Sequence, residues 1–303
     1  MSSQLSFFGV DPDHEFLFHV FHDESGKYIP HAGDRWLLHG VLFMPSEFLS
    51  EAVSILGSIR DREEYHHEVH FVNLRKSRSG PKARCMVGWL DTYERILSHK
   101  CFFHCLAIDT QSSVFNHSKF SEPFHVYNSF AKTAIVGGIA WSLSSYSNVA
   151  IRLFSHERSL VQGDNFLDYL PGAVFNQVKS NSKKPGAKYA QLRLLDSKVT
   201  FVPSKPSEVR PDLREECEII QLTDMLTSSI SQSLQASSDQ LAKIDIASIV
   251  SQWIVDTRRK PWLQEYDLHK RYSLSCFPNE KGEFYDPRLE TQYRDQSELF
   301  SYD

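Results

Sequence analysis

Five carboxylates stand where a folded chain could gather them for chemistry. Asp23 closes the apolar run FLFHVFHDESG, Asp109 closes CFFHCLAIDT, and Glu157 closes VAIRLFSHERS, so each follows a stretch patterned like a buried strand. Glu68 lies inside the charged segment HHEVHF, and Asp224 interrupts the apolar helical pattern of EIIQLTDML. The ends of strands are where α/β sheets collect functional groups. Carboxylates brought together there repel one another and raise their own pKa values, a penalty that a hard divalent cation removes. Oxygen-only ligands favour Mg²⁺ or Mn²⁺ over Zn²⁺.

Each of these residues also has an ordinary role open to it. Asp-Glu-Ser-Gly is a common turn composition. Asp109 suits a turn or cap, and Glu157, followed at once by Arg158, suits a weak surface ion pair. Asp224 shares helical spacing with Gln221, Ser228 and Ser231, as a solvated stripe would. His66, His67 and His70 around Glu68 lack the spacing of a helical zinc site, although an extended chain would put Glu68 and His70 on one side with His66. No Gly-rich phosphate loop, nucleophile elbow or dinucleotide fingerprint is present.

The elements that must position these groups follow from periodicity. FLFHVF predicts a central strand apolar on both sides, and RWLLHGVLF a second strand pairing antiparallel with it. SEFLSEAVSILGSIR predicts a helix capped by Ser46, CMVGWLDTYERILSHK a second and HVYNSFAKTAIVGGIAWSLSSY a third. CFFHCLAIDT and VAIRLFSHERS supply further strands, AQLRLL or KVTFVP a weaker one, and LREECEIIQLTDMLTSSISQSL a late helix. Beyond it the pattern gives one more helix and then irregular, aromatic-rich chain. The division predicted is one domain over 14–235 with an extension over 236–303 packed on it.

Composition narrows the partners. A hydrophobic fraction of 41%, with 21 Phe and 12 Tyr, belongs to an ordered globular protein. A net charge of -5 gives no global attraction to nucleic acid or anionic membrane, so any such binding rests on local patches. The cysteines (Cys85, Cys101, Cys105, Cys217 and Cys276) are scattered and odd in number, which reads as reduced thiols. With no apolar leader and no long apolar run, the expected location is the cytoplasm, without membrane contact.

Taken in order, HDESG, EVHF, AIDT and IIQLTDML, with RYSLSCFPN near the end, resemble the family called domain of unknown function 3800, a branch of the RNase H/RuvC-like nuclease superfamily. The resemblance spans roughly residues 16 to 277. It implies an α/β fold of RNase H type: a mixed five-stranded sheet, its first three strands antiparallel, helices on both faces, and here a C-terminal extension. It implies Asp23, Glu68 and Asp224 as the metal-binding catalytic acids, completed by Asp109 or Glu157, around two Mg²⁺ or Mn²⁺ ions about 4 Å apart. His67, His70 or His156 would move a proton or position water. The implied reaction is hydrolysis of a DNA or RNA phosphodiester to a 5′-phosphate and a 3′-hydroxyl, with an association with mobile-element or phage-defence genes. His156 stands where the family commonly has Asp, and the third strand of the meander is unassigned between EVHFVN and CFFHCLAIDT.

A nuclease of acidic composition needs local cations for phosphate. The candidates are Arg75, Lys76, Arg78, Lys82 and Arg84, then Lys183 and Lys184, with Arg258, Arg259 and Lys260 behind them. Tyr65 and Phe71 could stack on bases. Two other readings stay open: a catalytically degenerate subunit that binds nucleic acid or assembles with a protein partner or a second copy, and a hydrolase of small phosphate esters.

Overall fold

The computed structural model describes residues 14–74, 77–185, 189–259 and 272–284. Within them seven strands form one mixed sheet: β1 (Glu15–Ser25), β2 (Trp36–Pro45), β3 (Phe102–Asp109), β4 (Asn148–His156), β5 (Gln191–Leu194), β6 (Thr200–Val202) and β7 (Tyr272–Phe277). Their order is β5-β4-β1-β2-β3-β7, with β6 pairing the far end of β4 beside β5. β1, β2 and β3 are an antiparallel meander, while β4 runs parallel to β1 and β7 parallel to β3. The sheet is therefore wider than the five strands expected. Both weak strand candidates form, and the C-terminal stretch read as irregular is an alternating strand that extends the sheet past β3.

Among the described residues six helices pack on this sheet: α1 (Leu49–Arg62), α2 (Pro81–Arg95), α3 (Pro123–Ser142), α4 (Phe166–Asn181), α5 (Arg214–Gln235) and α6 (Leu241–Arg259). Strand alternation divides the core. Trp36, Leu38, Leu42 and Met44 of β2 join α1, α2, α5 and α6 on one face, and Leu37, Val41 and Phe43 join α3 and α4 on the other. The third strand of the meander is CFFHCLAID. EVHFVN instead runs as extended chain into a short 3-10 turn, Phe71–Asn73.

Local signals explain most boundaries. Pro81 and Pro123 open α2 and α3, where a missing N–H costs nothing. Ser46 does not cap α1; its hydroxyl meets His19 Nε2 at 3.0 Å, and the chain enters α1 through a 3-10 turn. Helix α4 is absent from the periodicity reading because Pro171-Gly172 breaks the pattern. The helix continues through Pro171, and the Leu167 carbonyl that Pro171 cannot serve accepts the Val199 amide at 2.9 Å.

Among the described residues no helix is long and apolar enough to cross a membrane. The five cysteines are buried thiols, and none joins a disulfide among the described residues.

Candidate functional site

Asp23 sits near the end of central strand β1 on the α5 side, the parity it shares with Phe21. It is 1% exposed. The parallel register puts His22 beside Ser155, which brings His156 next to Asp23, and His156 Nδ1 lies 3.1 Å from Asp23 Oδ1. Asp23 Oδ2 is buried with no hydrogen-bond partner. Across the other edge of β1, Asp23 stands opposite Gly40.

That glycine lets the second acid approach. A Cβ at Gly40 would fall 1.8 Å from Thr227 Oγ1, so the absent side chain is the space into which α5 settles. α5 is buried nearly all round, which a helix this polar tolerates because its hydroxyls bond carbonyls one turn back: Thr223 to Ile219 and Thr227 to Thr223, each at 2.8 Å. Asp224 is thereby held at 3% exposure beside the sheet. The solvated stripe of Gln221, Ser228 and Ser231 does not exist; all three are buried. Asp224 Oδ2 accepts from His70 Nδ1 at 2.7 Å and the Phe71 amide at 3.2 Å, and Oδ1 accepts from the Ser228 hydroxyl at 3.1 Å.

The two acids feel each other. Burial, reinforced by the Asp224 charge, raises the Asp23 pKa against the opposing pull of His156. Burial would also raise Asp224, but the bond to His70 and its charge outweigh this and hold Asp224 low. Burial would lower His156, yet Asp23, Asp224 and Glu24 together push it up to about 9. His70 rises for the same reason, its bond to Asp224 overcoming burial. Each buried acid is thus matched by a histidine that reaches solvent, His70 with a side chain 24% exposed and His156 26% exposed.

The segment carrying Glu68 and His70 is clamped onto α5 by buried groups. Arg60 donates to Glu218 at 2.8 Å, to Gln221 Oε1 at 2.9 Å and to the His67 carbonyl at 2.7 Å, and Gln221 Oε1 also accepts the Val69 amide at 2.7 Å. Glu68 is half-buried near this pair: its carboxylate accepts from the Ser204 hydroxyl and its charge reaches His70.

The other proposed acids lie elsewhere. Gly40 stands opposite both Asp23 and Cys105, so Asp109 is two strands over and four residues further along, roughly 13 Å in strand rise. There Arg35 donates to Asp109 Oδ2 through Nε at 2.9 Å and a terminal nitrogen at 2.7 Å. Glu157 is exposed, and Arg158 turns away from it to Asp164 at 3.1 Å and towards Glu24 at 3.7 Å.

The sequence reading did not single out Glu24 as a site residue and gave Arg158 to Glu157, whereas it turns towards Glu24. Glu24 faces the α3 and α4 side, where burial, with Asp23 adding to it against Arg158, pushes its carboxyl up to about 7. Beneath it His22 bonds Ser155 and His39, each at 3.0 Å. The doubled acid of HDES was the available signal, since alternation sends neighbouring strand residues to opposite faces.

The basic candidates separate as well. Arg78 pairs with Asp245 at 2.6 Å and Arg84 with Glu63 at 2.7 Å, while Lys82 lies over the Tyr65 ring. Lys183 and Lys184 are exposed just past α4, at the end of the sheet where β5 joins the start of β4, opposite the end that carries Asp23. Arg75 and Lys76 lie outside the described residues, as do Lys260 and the side chains of Arg258 and Arg259.

Among the described residues no three His, Cys, Asp or Glu groups converge as ligands of one ion; Asp23 and Asp224 are near enough that the charge of Asp224 raises the Asp23 pKa. Neither a protein-family model nor a curated protein matches the sequence.

Proposed function

We propose that this chain is a metal-dependent nuclease of RNase H type, hydrolysing phosphodiester bonds in DNA or RNA. The observation that carries the reading is the buried pair Asp23 and Asp224, drawn from β1 and α5, with Asp23 Oδ2 lacking any partner. The sheet supports it: a β1–β3 meander with β4 and β5 parallel to the first strand, and the leading acid on that central strand. Only part of the expected acid set stands in support, because Asp109 is committed to Arg35 and Glu157 points to solvent.

The donor set suits Mg²⁺ or Mn²⁺. Mg²⁺ is commonly bound through one or two carboxylates, with water and substrate phosphate supplying the rest, so two convergent acids suffice and an all-protein cage is unnecessary. Asp23 and Asp224 would hold the ion and Glu68 would stand beside it. A bound ion would polarise the phosphoryl group and lower the pKa of the attacking water. The chain's own residues do the remainder. His156, protonated at neutral pH, favours the ionised form of Asp23 through Nδ1 against the burial that raises its pKa, and is the group placed to give a proton to the departing oxygen. His70 keeps Asp224 ionised in the same way.

Purified protein with Mg²⁺ or Mn²⁺ is expected to nick at least one of DNA, RNA or hybrid. Chelation should stop it, and Asp23→Asn and Asp224→Asn should each cost at least about a hundredfold in rate with the fold intact. Cleavage that persists in Asp23→Asn would remove the basis of the assignment.

One observation favours a second reading, a non-cleaving subunit that binds nucleic acid. Both acids are already neutralised by histidines, and His156 stands where the resemblance expects a carboxylate. Metal-independent binding without cleavage by the wild type would select it.

A further inference from the structure

Two lysines sit on aromatic rings whose own residues help to build the acid centre. Lys82 of α2 lies 5.6 Å from the Tyr65 ring centroid, and the Tyr65 hydroxyl donates to the Glu68 carbonyl at 2.7 Å. Lys243 of α6 lies 5.6 Å from the Phe71 ring centroid, and the Phe71 amide donates to Asp224. The turn over 65–71, which carries Glu68 and His70, is therefore flanked by cations from two different helices.

Lys243 is the more telling of the two. It is half-buried, and among the described residues it forms no ion pair. Contact with an aromatic face offsets less of its charge than a paired carboxylate would where solvent is partly excluded. Burial accordingly depresses its pKa. An ion pair ties the segment before α2 to this helix, because Arg78 is fixed to Asp245 two residues further along α6. The basic segment over 77–84 and the start of α6 thus form one rim beside the acids. Arg78 and Arg84 are spent on Asp245 and Glu63, and the two lysines, held on separate helices, fit an anion whose charges repeat along a chain better than a single small phosphate.

We propose that Lys243, together with Lys82, contacts successive phosphates of a nucleic-acid strand that crosses the 65–71 turn to reach Asp23 and Asp224. This rests on the nuclease reading and adds the path of the substrate. It also assigns no substrate contact to Lys183 and Lys184, at the opposite end of the sheet.

The test is fluorescence anisotropy of a fluorescein-labelled DNA, as single strand and as duplex, and of the matching RNA, titrated with full-length protein in EDTA over a range of salt. Lys243→Glu should weaken binding about tenfold at low salt and reduce the slope of log affinity against log salt by about one, with Lys82→Glu acting in the same direction. Lys243→Met, which keeps the contact with Phe71, should lower the slope with an unchanged thermal midpoint, which separates lost charge from lost packing. A double Lys183→Glu, Lys184→Glu variant should bind like the wild type. If the wild type binds and Lys243→Glu and Lys243→Met bind equally well, the path is wrong. A larger loss in the Lys183, Lys184 double variant than in Lys243→Glu would also overturn it. A wild type that binds none of these probes sinks the nuclease reading, and this proposal with it.

Discussion

Gly40 and Thr227 occupy one space: where β2 passes opposite Asp23, a side chain on the glycine would lie 1.8 Å from the threonine hydroxyl of α5. Asp224 is one turn from Thr227, so this contact sets how near the second acid comes to the first. Gly40→Ala should destabilise the protein by about 1–3 kcal/mol through overpacking. Thr227→Ala in the same chain should restore part of that loss. Urea unfolding of the two single variants and the double variant measures the coupling. Strict additivity would mean that this contact does not set the approach of α5.

His156 supplies positive charge to Asp23 in place of a carboxylate. In His156→Asp, three acids would crowd one end of the sheet, and stability without divalent cations should fall by about 2 kcal/mol. Millimolar Mg²⁺ should then raise the unfolding midpoint of the variant more than that of the wild type, since a ligand of the folded state stabilises in proportion to its affinity. Equal Mg²⁺ responses in a thermal-shift titration would argue against a cation site at Asp23.

Gln221 joins Arg60 and the Val69 amide through one buried oxygen. Gln221→Leu leaves two buried donors unsatisfied and should cost about 2–3 kcal/mol. It should also free the turn that holds His70 on Asp224. Hydrogen exchange at the Val69 amide should accelerate well beyond the rise in global unfolding, and exchange that tracks global stability alone would show that the clamp is not local.

His104, buried on β3 and bonded to Ser273 at 2.7 Å, has its pKa lowered by burial to about 4. The unfolded chain binds this proton near pH 6.5 and the folded chain does not until about pH 4. Stability from this group is therefore complete above pH 6.5 and is withdrawn as pH falls, by up to about 3 kcal/mol near pH 4. His19, also lowered by burial to about 4, adds in the same direction. Denaturant unfolding from pH 7.5 down to 4.5 should show a shallower acid limb for His104→Asn than for the wild type. Parallel limbs would assign the acid sensitivity to other groups.

The sequence by itself determined the elements whose burial is written locally. Strands β1 to β4 and helices α1, α2, α3 and α5 follow from alternation and helical spacing, because each buries one or both faces against the same sheet. It also placed Asp23 at a strand end and Asp224 within a helix. Tertiary structure alone decided what depends on a distant partner. Pro171 hides α4 from any local reading, and only the Val199 amide, arriving from another segment, makes that helix tolerable. Asp109 and Glu157 look like Asp23 in sequence, yet a cross-strand register delivers Arg35 to one, and the other falls exposed one residue past the end of β4. The Asp23 and Asp224 pair required a glycine on a third element to let α5 descend onto the sheet. Periodicity records which face of a segment is apolar, whereas the distance between two side chains is fixed by the packing of every element between them.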